Sequence, residues 1–181
     1  HISRQGEGSG ITIAAHDING GRMPDLSNSR GDFFFLRSSD AHSAALTVRD
    51  LMTRRLPGYL GCEPTKIQVL CPVKSGEAGA IALNALLRDA LLPERRGEVT
   101  VGESRFAAGD KVMHVVNNYD LEWRRATERG KGVFNGDMGT VTETLPGSGE
   151  LIVEFEDGRV ATYTGEDRTQ LMPAYAITVH K

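Results

Sequence analysis

Three short stretches of this 181-residue chain combine residue types that could hold an anion. Pro72-Val73-Lys74-Ser75-Gly76 leaves an apolar run and enters a helical one. Such a strand-to-helix loop offers backbone N–H groups and the positive end of a helix dipole, and Lys74 adds a point charge. The alternative is a surface lysine in a loop capped by Ser75. At the other end, Thr178, His180 and Lys181 close the apolar stretch Ala174–Val179, and the mouths of such strands are where open α/β sheets place ligands. Ser3-Arg4-Gln5 precedes the first helical segment; its arginine either grips a phosphate bidentately or is simply solvated.

A fourth candidate lies in the second half. Asn117-Asn118-Tyr119 is followed by a basic segment with Trp123-Arg124-Arg125, Arg129 and Lys131, read as a loop, and then by Val133-Phe134-Asn135-Gly136-Asp137. A tryptophan beside arginines either stacks on unpaired bases while guanidinium groups follow phosphates, or anchors its own segment onto the domain. Asp110 and Asp137 read as turn formers rather than catalytic carboxylates. His16, His42, His114 and His180 show no metal-ligand spacing, and neither a G-x-x-x-x-G-K-[ST] loop, a G-x-G-x-x-G turn after a strand nor an H-E-x-x-H helix is present.

The elements that must position these residues fall into two kinds. Helical spacing predicts helices over Gly10–Gly21, from an Asp40 N-cap to about Leu56 where Pro57-Gly58 stops it, and over Glu77–Leu92 with Ile81, Ala82, Ala85, Leu86 and Leu91 as its apolar stripe. Asp32–Leu36, with three consecutive phenylalanines, and Ile67–Cys71 read as buried strands, separated by helices as crossover-linked parallel strands are. From Glu94 the pattern changes to short β runs at Lys111–Val116, Gly139–Leu145, Leu151–Glu156 and Arg159–Thr164, broken by Asn135-Gly136, Pro146-Gly147 and Asp157-Gly158. The last pair has the length of a type I′ hairpin. Closely spaced strands of this kind indicate a small SH3- or OB-type barrel. The expectation is an α/β domain interrupted by a small β-barrel.

Composition agrees with a folded protein: 39% hydrophobic, 25% charged, net charge −3 and two cysteines, which excludes a disulfide scaffold and a globally basic nucleic-acid binder. No apolar run approaches the ~18 residues of a membrane span, and no signal peptide opens the chain, so a cytoplasmic location is expected.

The order of the motifs is more specific than any one of them. Ser-Arg-Gln before a helix ending Ile-Asn-x-Gly is followed by Asp-Phe-Phe-Phe, Ile-Gln-Val-Leu-Cys-Pro-Val-Lys-Ser-Gly and Ala-Leu-Asn-x-Leu-Leu. Then come Phe-x-x-Gly-Asp-Lys-Val-Met, Asn-Asn-Tyr-Asp, Val-Phe-Asn-Gly-Asp-Met-Gly-Thr-Val and Ala-Tyr-Ala-Ile-Thr-Val-His-Lys. Over essentially its whole length the chain closely resembles the C-terminal region of RecD-like DNA helicases of superfamily 1, including the TraA-type conjugation helicases.

The resemblance implies a second RecA-like motor domain, a parallel sheet with flanking helices, whose first part is 1–93. It implies an SH3-like barrel insertion over 94–173 and a return strand over 174–181 cut within motif V. Arg4 would contact the γ-phosphate of ATP bound against a first motor domain, with Gln5 beside it. Lys74, Ser75 and Gly76 would lie on single-stranded DNA, Thr178, His180 and Lys181 would begin motif V, and Asn117, Tyr119, Phe134 and Asn135 would line the DNA channel. ATP and Mg2+ would serve the intact parent helicase, and this piece alone would neither hydrolyse ATP nor unwind DNA. Partners so implied are single-stranded DNA and the first RecA-like domain, with nuclease or relaxase proteins as further candidates and no membrane. Two rival readings come from other classes: a non-enzymatic nucleic-acid-binding barrel on an α/β scaffold, and a small-molecule enzyme centred on Lys74. No acid/base pair converges with that lysine, which disfavours the enzyme.

Overall fold

A computed structural model describes residue 6 and residues 8–179. Arg4, Gln5, His180 and Lys181 lie outside the described residues. The chain forms two compact units, divided between Ser39 and Asp40.

In the first unit, α1 (Gly10–Asn19) starts at Ser9, whose hydroxyl accepts from the Ile11 N–H. Asp32 completes this start by accepting from the Gly10 N–H at 2.9 Å and from the Ser9 hydroxyl. The three phenylalanines do not form the expected strand. Residues 33–36 belong to no ladder, and Phe34 and Phe35 are exposed. A single side chain supplies what a neighbouring strand would: the Phe35 N–H donates to Asn28 Oδ1 at 2.6 Å and Asn28 Nδ2 donates to the Phe35 carbonyl at 3.0 Å.

The second unit opens with α2 (Ala41–Asp50), capped by Asp40 Oδ1 on the Ser43 N–H at 2.7 Å, as expected. The helix does not stop at Pro57. A π turn over Leu51–Arg55 leads into α3 (Leu56–Leu60), which ends at left-handed Gly61. A proline crowds the carbonyl four residues back and gives no N–H, so a widened turn just before it lets the helix pass.

A 3-10 turn (Pro64–Lys66) leads to β1 (Val69–Cys71), and α4 (Ala80–Leu91) follows. The face of α4 that is buried carries Ala80, Leu83 and Leu87, while Ile81, expected inside, is 69% exposed. The reason is polar: Asn84 and Arg88, one turn apart, reach inward and set the helix phase.

The remainder is β-rich: β2 (Val99–Val101), β3 (Ser104–Phe106), β4 (Lys111–His114), β5 (Asn118–Arg125), β6 (Glu128–Val133), β7 (Met138–Leu145), β8 (Glu150–Phe155), β9 (Val160–Tyr163), a 3-10 turn (Gly165–Gln170), β10 (Leu171–Pro173) and β11 (Ala176–Thr178). Seven of these strands form one antiparallel sheet in the order β10-β4-β7-β8-β9-β5-β6, with β2 and β3 paired separately. Its core holds Phe106, Val112, Leu121, Val133, Val141, Leu151, Val153, Phe155 and Tyr163. The basic segment read as a loop is the β5–β6 hairpin, with Trp123 opposite Gly130 and a two-residue turn at Ala126-Thr127. The Asp157-Gly158 turn is not type I′: Glu156-Asp157-Gly158 is a three-residue loop with Gly158 at φ 86° and a Phe155–Arg159 bond closing it.

Among the described residues, parallel pairing is confined to β1 and β11, in the register Val69–Ala176, Leu70–Ile177 and Cys71–Thr178. The final strand, β11, is parallel, but the sheets are mostly antiparallel, and the larger parallel sheet expected from the sequence is not what these residues build. Among the described residues, no helix is long and apolar enough to cross a membrane.

Candidate nucleic-acid interface

Parallel register brings two of the sequence candidates to one end of a strand pair. Thr178 pairs with Cys71, and Lys74 stands three residues beyond that same strand end. Val179 continues the contact, its N–H donating to the Cys71 carbonyl at 3.2 Å. Lys74, Ser75 and Gly76 are all exposed. The loop is not an open helix N-terminus, however. The Ala80 and Ile81 N–H groups donate to the Val73 and Lys74 carbonyls at 3.1 Å each, and the N-cap is Gly79, with no side-chain cap from Ser75. A Cβ at Gly79 would stand 2.3 Å from the Ser75 carbonyl oxygen, so only glycine lets the loop fold this tightly. Any anion held here depends on the Lys74 side chain rather than on the helix end.

The second grouping is tighter. The turns before β5 and before β7 meet where the Asn135 N–H donates to Asn117 Oδ1 at 3.1 Å. Beside that bond, the Tyr119 and Phe134 rings meet edge to face with centroids 5.5 Å apart, yet remain 69% and 40% exposed. An aromatic pair that packs on itself at the surface leaves ring area free to stack. All four residues expected at the DNA channel thus stand together.

Beneath them the turn is built from partly buried polar groups and one buried histidine. Asp137 accepts from the Phe134 N–H at 2.9 Å and from Arg159 Nη2 at 2.8 Å. Arg159 also donates to the Gly132 carbonyl and to Asp157, and its guanidinium lies 5.3 Å from the Phe155 ring centroid. His114 holds both sides of the turn through its backbone, accepting from the Gly136 N–H at 2.8 Å and donating to the Asp137 carbonyl at 2.9 Å. Its ring is fully buried, with Nδ1 2.7 Å from the Tyr163 hydroxyl. Burial pushes the His114 pKa below its ordinary value and that of Tyr163 upward. Sequence reading missed Arg159 and His114 as supports, since neither residue stands in a motif that announces burial.

Trp123 is placed differently from its neighbours. It is half-buried, packs on the barrel core, and lies across Gly130, where a Cβ would come within 2.4 Å of its ring. The Arg125 and Arg159 guanidinium groups stand 5.5 and 6.0 Å from its ring centroid. Its ring is engaged as an anchor. Arg124 is exposed opposite Arg129, while Arg125 pairs with Glu128 and Lys131 with Glu122.

Asp110 belongs to a joint rather than to a simple turn. Only 3% exposed, it takes a bidentate bond from Arg88 at 2.8–3.1 Å, the Tyr175 hydroxyl at 2.8 Å and the Ala107 N–H at 2.7 Å. Neighbouring Lys111 is also buried, its ammonium donating to the Ile67 carbonyl at 3.1 Å, and burial lowers its pKa. Among the described residues no group of three His, Cys, Asp or Glu is placed to hold a metal.

A seven-stranded antiparallel sheet is thus joined, through the buried Arg88–Asp110 ion pair, to a helix that packs on a parallel strand pair. Residues 83–155 match the SH3 domain of the ATP-dependent RecD-like DNA helicases. Across 180 residues the chain is 32% identical to the ATP-dependent RecD2 DNA helicase of Deinococcus radiodurans, covering 99% of this chain and 22% of that protein. It therefore spans under a quarter of that relative's length. Over its whole length the chain is thus similar to RecD-like DNA helicases. A chain from a structure of two coordinating Pif1 helicases unwinding forked double-stranded DNA is similar at a TM-score of 0.45 and 19% identity, covering 99% of this chain and 39% of that one.

Proposed function

We propose that this chain is the DNA-gripping part of an ATP-dependent DNA helicase. Residues 1–93 and 174–181 belong to its second RecA-like motor domain, and 94–173 form the SH3-like insertion. Single-stranded DNA runs over two patches: Lys74, Ser75, Gly76 and Thr178 at the end of the strand pair, and Asn117, Tyr119, Phe134 and Asn135 on the barrel. The resemblance adds His180 and Lys181 to the residues that meet DNA. Lys74 meets phosphates, which carry no sequence information and suit a motor that accepts any sequence. Tyr119 and Phe134 stack on bases, which is equally tolerant. Arg4, with Gln5, reaches ATP and its Mg2+ held mainly by a first motor domain, and the arginine stabilises charge on the transferring phosphoryl group.

The observation that carries this reading is the exposed Tyr119–Phe134 ring pair joined to the Asn117–Asn135 bond. Anisotropy of a labelled oligothymidylate tests it. Tyr119→Ala and Phe134→Ala should each weaken binding by about 1–3 kcal/mol. Wild-type affinity in both folded variants would reject the barrel as a base-stacking surface.

A further inference from the structure

Helix α4 holds two things at once, one helical turn apart. Asn84 faces β11: its Nδ2 donates to the Ala176 carbonyl at 2.7 Å, and its Oδ1 accepts from the Ala176 N–H at 3.1 Å. This is a strand-like exchange made by a side chain. Arg88, four residues on and so on the same helix face, holds the barrel through Asp110, and Glu98 braces the same guanidinium at 2.9 Å. Tyr175, the residue before β11, closes the loop by donating to Asp110.

The two DNA patches of the proposed function belong one to each of the parts that this clamp joins. Lys74 lies in the loop that opens α4, and Thr178 ends the strand that Asn84 grips. Tyr119 and Phe134 belong to the barrel that Arg88 grips. We propose that Asn84 and Arg88, with Asp110 and Tyr175, are positioning residues: they lock the barrel onto the α4–β11 layer so that both patches engage one strand as a single bivalent site. This rests on the proposed function for the identity of the ligand, but the clamp itself is a property of the fold. A buried bidentate ion pair, closed by a hydroxyl and an amide, resists both rotation and sliding, which a lone surface contact would not. Rigid spacing is what converts two weak contacts into one strong one, because the second then forms at a high effective concentration.

Two measurements test it on the whole chain. The first is the distance distribution between spin labels at Ile81→Cys on α4 and Thr127→Cys at the hairpin tip, in a Cys62→Ser background. It should be narrow in the otherwise native chain and broad in Arg88→Gln and Asp110→Asn. Tyr175→Phe, which removes only one hydroxyl, keeps a folded variant available and should broaden it less. A distribution as narrow as native in folded Arg88→Gln overturns the clamp, whether or not DNA binds. The second is affinity for oligothymidylates of about four and about sixteen nucleotides. The native chain should prefer the longer by on the order of 100-fold, and the clamp variants should lose most of that preference while binding the shorter within about twofold of native. An undiminished length preference overturns the positioning role. Absence of DNA binding by the native chain instead overturns the proposed function, and the label distances then decide the clamp alone.

Discussion

At Gly130 one added carbon would strike the Trp123 ring, which lies 2.4 Å from where a Cβ would stand. Gly130→Ala should lower barrel stability by about 1–3 kcal/mol, the usual cost of overpacking, read as the denaturant midpoint. Trp123→Ala, by contrast, should chiefly cost stability and leave single-strand affinity close to native, because the ring is already engaged by Arg125, Arg159 and the core. His114 gives a test of a different kind. Asp137 and Asp167 favour its charged form and Arg159 opposes it, but burial outweighs them and keeps the imidazole neutral. The unfolded chain therefore takes up a proton near pH 6.5 that the folded barrel resists. Stability is full above that pH and falls as pH drops from 7 to 5. His114→Gln should flatten this slope even if its midpoint is lower, and equal slopes would remove His114 as the cause. Asp32 and Asp25, held below the usual carboxylate range by hydrogen bonds from Ser9 and Ser27, lose their contribution only below about pH 4, outside that window.

At the scale of elements, apolar spacing located α1, α2, α4 and the main barrel strands, and failed where polar residues turned inward or a turn lacked its usual residues. The stripe through Ile81 is a reasonable apolar face, but Asn84 and Arg88 have buried partners, and their pull rotates α4 so that Leu83 and Leu87 face the core. Arg88→Ala leaves Asp110 buried without its counter-charge and should cost about 3–5 kcal/mol in thermal or denaturant unfolding. The β5–β6 hairpin is silent in the sequence because Ala126-Thr127 carries neither glycine nor asparagine, although Ala126 adopts φ 52°. That strain has a measurable consequence: Ala126→Gly should stabilise the barrel by up to about 1 kcal/mol, seen as a higher midpoint with unchanged cooperativity.

For the whole molecule, the proposed role predicts behaviour that no single element could show. Lys74→Ala should reduce the slope of log affinity against log salt for single-stranded DNA by about 0.7, the change expected when one fewer phosphate is neutralised. Phe134→Ala should lower affinity with little change in that slope, because stacking releases no counterions. In a longer protein that also carries a first motor domain, DNA should stimulate ATP hydrolysis, and Arg4→Ala should abolish the stimulation. Hydrolysis indifferent to DNA would leave the barrel as a binding module.

Residue order and type were enough to indicate the RecD-like resemblance, the change from α/β to β-rich grammar near Glu94, and a final apolar strand, whereas the partner of that strand, β1, emerged only from the fold. These depend on local alternation, turn residues and motif order, which the backbone reads over a few residues. Tertiary structure alone decided which polar groups went inside. Arg88 and Asp110 are 22 positions apart, Tyr175 and Asp110 65, and Asn84 and Ala176 92. A buried charge or amide is tolerable only when its partner arrives from such a distance, so its fate is set by the packing of elements and not by its neighbours in the chain.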